Sequence, residues 1–377
     1  MTRSTIAVRP VHAAADLKKF IAFPYRLHRE DPQWIPPLRM DMRKLLSRRK
    51  NPFFQHAEAE YFLAERRGSR GAEVVGRIAA IHNRGHNEFH EDTVGFYGFF
   101  ESINDQSVAD SLFHAAANWL KQRELTVMRG PVSFSTNDEC GLLIDGFDLP
   151  PAVLTPYTPP HYVDLTERAG FTKARDLFLY HSVNDQLPER LIRGAKLIAK
   201  RKKITLRPID MKHFSEEVEL IKQVYNSAWE RNWGFIPMTE AEIDHLAKDL
   251  KPVIVPELVV FAEREGELVG FAVALPDLNV ALKTNPSGRL FPGILKILWK
   301  ARKITRLRVM LLGVVPEYRS YGADALMYHW IWDKGYALGY RWAEAGWILE
   351  DNTAMNNGLV RMGFEHYKTL RLFDRPL

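Results

Sequence analysis

The chain has 377 residues, 46% of them hydrophobic and 26% charged, with a formal net charge of +6. That length exceeds the usual single domain and the composition is ordinarily globular, so two compact domains are expected and extensive disorder is excluded. A single cysteine, Cys140, excludes an intramolecular disulfide and a zinc site of several thiolates, while the positive balance favours anionic partners.

The first ten residues lack the apolar core of a signal peptide, and no stretch is apolar for long enough to span a bilayer. A cytoplasmic protein is therefore expected. Residues 6–10 have a strand pattern and 15–25 a helical one. Residues 60–65 and 73–81 form a hairpin around the glycine-containing turn 67–71. A strand at 94–100, a helix at 108–123, a strand at 127–134 and a helix at 160–169 closed by Gly170 complete the first half. His82, His86 and His90 recur every four residues but read as a solvated loop, and no metal site is expected.

Residues 187–203 carry a basic run with Leu191, Ile192, Ala195, Ile198 and Ala199 at helical spacing. This is a connecting helix, either simply solvated or touching a lipid or nucleotide. The second half then repeats the order of the first. Residues 204–209 echo 6–10, and 258–263 with 267–275 form a second hairpin. A buried strand at 308–315, a helix at 322–338, a strand at 342–349 and a helix at 352–362 stopped by Gly363 follow. Gly170-Phe171 corresponds to Gly363-Phe364, so the chain reads as a duplication with domains at 1–184 and 204–377 joined by 185–203.

The segment 314–326 passes from a strand end through a tight turn into a helix. Free amides and the positive end of the helix dipole make such a turn an anion cradle, with Gly322 allowing close approach and Arg319 adding a cation. On its own the segment reads equally as an ordinary strand-to-helix turn. Residues 282–306 insert about a helix and a half after the second hairpin, with Phe291, Ile294, Leu295, Leu298 and Trp299 beside Lys296, Lys300, Arg302, Lys303 and Arg306. That is the composition of an interfacial helix able to lie on anionic lipid, or of a lid packed on its own domain. The run 226–237 carries Trp229, Trp233 and Phe235, suited to walling an apolar channel or to filling a core.

The order of hairpin, strand, turn with Arg319 and Gly322, helix, strand and Asn352-started helix resembles the GCN5-related N-acetyltransferase (GNAT) superfamily. The tandem halves, the Trp-rich run, the basic insertion and residues 347–352 are together similar to the bacterial ceramide synthase family. The resemblance implies an α/β (α+β) fold of two GNAT-like domains, each a mixed, mostly antiparallel sheet flanked by helices. The first domain is degenerate, its phosphate-loop signature missing between Arg129 and Asp145.

The resemblance further implies an acyltransferase moving an acyl group from a thioester, acyl-CoA or acyl carrier protein, to an amine. No permanently bound cofactor is implied. Val314, Val315, Arg319, Ser320, Tyr321, Gly322, Ala323 and Asn352 would hold the coenzyme. A long-chain sphingoid amine is the implied acceptor, walled by Trp229, Trp233, Phe235 and Asn137, and an anionic membrane at the cytoplasmic face is a further partner. A small amine, amino acid or protein as acceptor, and a non-catalytic lipid-binding role, remain alternatives. Nucleic acid is not expected, because basic and acidic residues are interspersed outside the short runs.

The sequence departs from the superfamily at Asp324, where a small residue is usual, and at Leu359, in the place of its general-acid tyrosine. Amine acylation needs a base, an oxyanion donor and a proton for the leaving thiolate. Glu344, then Glu350, are the candidate bases, with Glu139 in reserve. Backbone amides of 312–314 are the candidate oxyanion donors, and Tyr367 the candidate acid.

Overall fold

The computed structural model describes residues 6–68, 71–182, 188–230 and 232–377, and of Leu191 and Ser320 the backbone only. The expected boundary at 184/185, the tip of the first turn at 69–70 and the Ser320 side chain therefore lie outside the described residues. Two compact units divide the chain: Met1–Leu177 with Leu282–Leu298 and Lys368–Leu377, and Phe178–Ala281 with Trp299–Tyr367.

The chain runs β1 (Ile6–Pro10), α1 (Ala14–Leu27), α2 (Arg39–Leu45), β2 (Ala57–Gly68), β3 (Gly71–Asn83), α3 (Arg84–His90), β4 (Val94–Ser102) and α4 (Gln106–Lys121). Next come β5 (Val127–Gly130), β6 (Leu142–Asp145), α5 (His161–Arg168) and β7 (Thr172–Ser182), the last passing from the first unit into the second. In the first unit the strand order is β1-β2-β3-β4-β5, and β5 pairs the end of the final strand of the chain, β13 (Glu365–Pro376), which β6 also pairs. Among the described residues these pairings are antiparallel except β4 with β5. Asp105 caps α4 by accepting from the Ser107 amide at 2.9 Å, and Val108, Leu112, Phe113, Ala116 and Leu120 recur at helical spacing. That stripe is buried with Ile78, Ala80 and Tyr97, and so positions α4 on the sheet.

The second unit continues with α6 (Glu189–Lys202), β8 (Ile204–Pro208), α7 (Phe214–Trp229), α8 (Glu240–Leu250), β9 (Val259–Arg264) and β10 (Glu267–Pro276). After α9 (Asn279–Leu282) and α10 (Leu290–Ala301) come β11 (Arg306–Val314), α11 (Ala323–Ala337), β12 (Trp342–Leu349) and α12 (Thr353–Arg361). Its strand order is β7-β12-β11-β10-β9-β8. Alternation along the strands gives the sheet two apolar faces. Val259, Phe261, Phe271 and Val273 pack with Val218, Val224 and Tyr225 of α7, whereas Val260, Ala262, Ala272 and Ala274 pack with Leu326, Met327 and Ile331 of α11.

Each unit is thus a mixed, mostly antiparallel sheet flanked by helices, as expected. Three local readings change. Residues 84–90 are the helix α3 rather than a solvated loop: Asn83 accepts from the His86 amide, and the His86 ring is buried edge-on to Phe96. β5 stops at Gly130 instead of 134, since Pro131 brings no N–H to extend a ladder. Finally, β4–α4–β5 is the counterpart of β11–α11–β12, a parallel strand pair joined through a helix. The first unit's equivalent of the phosphate loop is therefore the connection 103–105, not the stretch 129–145.

Candidate active site

β11 and β12 pair in parallel only from Arg306↔Trp342 to Val309↔Ala345, although β11 runs on to Val314 and β12 to Leu349. Opposite β10, Val273 pairs Leu311 while Ala274 pairs Val309, so Met310 is an extra residue that bends β11 where the two strands part. The Val315 amide donates to the Val269 carbonyl at 3.0 Å. Antiparallel alternation then turns the amides of Leu312 and Val314 away from β10, toward the side that β12 has left. This gap exposes backbone donors between two strand ends, the arrangement expected for holding a thioester.

At the foot of the gap lies a buried polar cluster. Arg308 and Glu344 are register partners, and the Arg308 Nε is 3.1 Å from the Glu344 carboxylate. The Tyr367 hydroxyl donates to the same carboxylate, and Arg308 Nη2 donates to the Gly346 carbonyl at 2.9 Å. Burial, reinforced by the Glu344 charge, holds the Tyr367 phenol well above its ordinary range. The His181 ring packs on Tyr367 at 4.7 Å and accepts at Nδ1 from the Trp342 indole at 3.1 Å. An indole nitrogen can only donate, so His181 carries its proton on Nε2, and burial holds its pKa below the ordinary value. Two sequence candidates, Glu344 and Tyr367, are thereby brought into direct contact. Arg308 and His181 were not singled out in the sequence: β11 also carries Arg306, and β7 also carries Lys173, Arg175 and Asp176, so no local signal set the two apart.

The turn Pro316–Tyr321 delivers the chain to Gly322, whose φ of 71° is left-handed, and α11 begins at Ala323 with no side-chain cap. Its first amides and dipole are thus directed at whatever lies before the helix. In the first unit the matching helix start is filled by the Asp105 carboxylate, which also pairs with Arg66. A carboxylate in that place competes with a phosphate, so only the second unit keeps an open cradle. The Arg319 guanidinium donates to the carbonyls of Ala228 at 2.8 Å and Val314 at 3.4 Å, fastening the turn to α7 and β11. Tyr321 packs edge-on to Tyr318 at 5.3 Å with Lys202 over its ring at 4.3 Å, and Ile198 borders Gly322. The basic helix α6 therefore flanks the cradle.

Asn352 caps α12 by accepting from the Met355 amide at 3.2 Å, and Leu359 is fully buried. Asn356 anchors the turn after β12, donating to the Leu349 carbonyl at 3.0 Å and accepting from Tyr180 at 3.1 Å. Glu350 lies in that turn. The Trp229 ring packs with Tyr225 at 4.9 Å and covers Gly313 on the end of β11 that β12 has left, where a side chain would collide with it. Phe235 is buried in the α7 core and Trp233 is half-buried. Asn137 and Glu139 belong to the first unit, exposed on a turn closed by the Ser133 amide donating to the Glu139 carbonyl at 2.9 Å. No cluster of three His, Cys, Asp or Glu suited to a metal ion occurs among the described residues.

No family model matches the chain. It is 38% identical, over all of its length and 99% of the relative, to a bacterial ceramide synthase of Caulobacter vibrioides (strain NA1000 / CB15N). It is 36% identical, over 96% of its length and 93% of the relative, to the protein YghO of Escherichia coli (strain K12). Among solved structures it shares its fold with a tandem GNAT protein from the clavulanic acid biosynthesis pathway. That match has TM-score 0.58 and 13% identity over 99% of this chain and 98% of the other. A GCN5-related N-acetyltransferase from Sphaerobacter thermophilus matches with TM-score 0.54 and 14% identity over 98% and 95% of the two chains. At 38% identity over the full length of both chains, on a tandem GNAT fold, the chain belongs to the bacterial ceramide synthase family of acyltransferases.

Proposed function

We propose that the protein transfers a long-chain acyl group from a thioester to the amine of a sphingoid base, making a ceramide. The observation that carries the reading is the strand gap with the Glu344–Tyr367 pair at its foot, in a chain similar throughout to a ceramide synthase. The donor is acyl-CoA, with an acyl carrier protein thioester as the alternative carrier. Its pyrophosphate lies against the amides that follow Gly322, and its thioester oxygen accepts from the Leu312 or Val314 amide, where negative charge develops in the tetrahedral intermediate.

A sphingoid amine arrives as an ammonium and must lose a proton before attack. Glu344 takes that proton. The free amine attacks the thioester carbon, and collapse breaks the carbon–sulfur bond. Tyr367 protonates the departing thiolate and is recharged from Glu344 through their hydrogen bond, while the second amine proton leaves to solvent. Arg308 fixes the Glu344 carboxylate throughout, and His181, held by Trp342, fixes the Tyr367 ring. A long-chain amine resides in a bilayer leaflet, so the same reading sets the enzyme against the cytoplasmic face of a membrane. Among the described residues no helix is long and apolar enough to cross one.

Purified protein incubated with palmitoyl-CoA and sphinganine, with products read by mass spectrometry, tests the proposal. N-acyl sphinganine is the expected product. Acylation of small amines or amino acids alone would replace the lipid acceptor, and binding of the amine with no transfer would replace the enzyme with a lipid-binding protein.

A further inference from the structure

Between Asp277 and Glu317 the chain has no acidic residue, while Lys283, Arg289, Lys296, Lys300, Arg302 and Lys303 all fall there. At the centre of this stretch is α10. Its helical path starts after Phe291, whose backbone is extended (φ −103°, ψ 134°), and Gly293 is set tightly on Asn285 at the root of the helix. Ile294, Ile297 and Ala301 are half-buried. The opposite ridge carries Leu295, Leu298 and Trp299 at i, i+3 and i+4, exposed by 75%, 54% and 61%, and Phe291 just before it is 75% exposed. Four large apolar side chains in solvent on one short helix are far from the usual scattered surface leucine.

We propose that α10 is a membrane-docking helix that lies in the plane of an anionic phospholipid surface. The outward ridge is apolar, Lys296 falls about 100° around the helix from its centre by the 100° step per residue, and Lys303 follows two residues after the last helical residue, Ala301. In an interfacial helix that spacing lets the ridge enter the acyl boundary while the ammonium groups stay at phosphate level. Lys303 already folds over the Trp299 ring at 3.9 Å, leaving its charge beside the edge of the apolar face. An acidic carrier protein is the competing partner for so basic a segment. Recognition through ion pairs would put cations on the outermost ridge, where this helix has leucine and tryptophan. Only four residues, Arg302 to Thr305, separate α10 from β11, so the docked helix is tied directly to the strand that carries Arg308. The inference takes its purpose from the lipid-acceptor reading above, but its chemistry is independent of it.

Flotation of the full chain with vesicles free of sphingoid base tests the docking. Vesicles of equimolar phosphatidylglycerol and phosphatidylcholine are expected to carry the protein, with binding that weakens as salt rises, and pure phosphatidylcholine vesicles to carry far less. Lys296→Gln and Lys303→Gln should each weaken anionic binding roughly five-fold. Leu295→Ser with Trp299→Ser should abolish it, whereas Met40→Ser, at another exposed apolar position in the first unit, should change nothing. Equal binding to both vesicle types, indifference to the α10 substitutions, or displacement of bound protein by an acidic carrier protein would overturn the proposal. Acyl transfer to detergent-dispersed sphinganine is measured separately. Its absence with docking intact rejects the enzymatic reading alone, and activity without docking rejects the helix alone.

Discussion

The Arg308 guanidinium and the Glu344 carboxylate are 3.1 Å apart, with side chains 5% and 0% exposed, one residue pair before β11 and β12 separate. Two charges withdrawn from water in this way owe their stability to one another and to the neighbours that complete them. Tyr367 and the Gly346 carbonyl are those neighbours.

Arg308→Met should therefore destabilise the protein by about 3–5 kcal/mol in urea unfolding, because it leaves Glu344 buried without its cation. Adding Glu344→Met should recover much of the loss. A cost below about 1 kcal/mol for the single change would mean that the pair does not hold the strands.

Tyr367→Phe and Glu344→Gln are expected to lower turnover at saturating thioester by about 10²- to 10⁴-fold with little change in thioester affinity, as for removal of a general acid or base. Glu350→Gln should have a much smaller effect. Since the Tyr367 phenol is held well above its ordinary pKa, it stays protonated through the neutral range and contributes no alkaline limb there. Wild-type turnover in all three variants would exclude Glu344, Tyr367 and Glu350 from the proton transfers.

Coenzyme A should bind once per chain in calorimetry, because Asp105 occupies the first unit's helix start while the second starts on Gly322. Asp105→Ala should cost about 1 kcal/mol of stability through loss of the cap. Two sites in the wild-type protein would contradict the assignment.

Gly322→Val should weaken coenzyme A binding at least ten-fold, since a β-branched residue at φ 71° adds about 1–2 kcal/mol of backbone strain where the cradle is formed. Arg319→Ala should weaken it as well and lower the melting temperature, because Arg319 fastens the turn to the Ala228 and Val314 carbonyls. Unchanged affinity in both variants would remove the cradle from this loop.

Burial, with His90 and Arg129 nearby, lowers the His86 pKa to about 3, against an ordinary value of 6.5; Asp92, 3.4 Å from its Nε2, acts in the opposite sense. As pH falls through 6.5 the unfolded chain takes up a proton that the folded chain refuses, so stability is full above that value and is lost progressively toward pH 3. The slope is up to about 1.4 kcal/mol per pH unit. His86→Leu should flatten the difference between urea midpoints at neutral and mildly acidic pH. An unchanged slope would show that His86 protonates freely in the fold.

The two hairpins, the helices α4, α6, α10 and α11 and the strand-to-helix turn at Gly322 were legible in the sequence, because each is written in a local period, a cap or a glycine. The similarity of the two halves was legible for the same reason, as a repeated order of local signals. What pairs with what was not. Arg308 and Glu344 are 36 residues apart and meet only through the register of two parallel strands, and Tyr367 reaches them from a third strand. Arg319 reads in sequence as a cation for phosphate, yet in the fold its guanidinium holds two main-chain carbonyls that no local pattern announces. The first unit's blocked helix start was misplaced in the sequence because Asp105 is an ordinary cap. Only the matching of β4–α4–β5 with β11–α11–β12 gives that cap its meaning. Local periodicity specifies the elements, while long-range strand register decides which charges share a buried site, and the register depends on packing summed over the whole sheet.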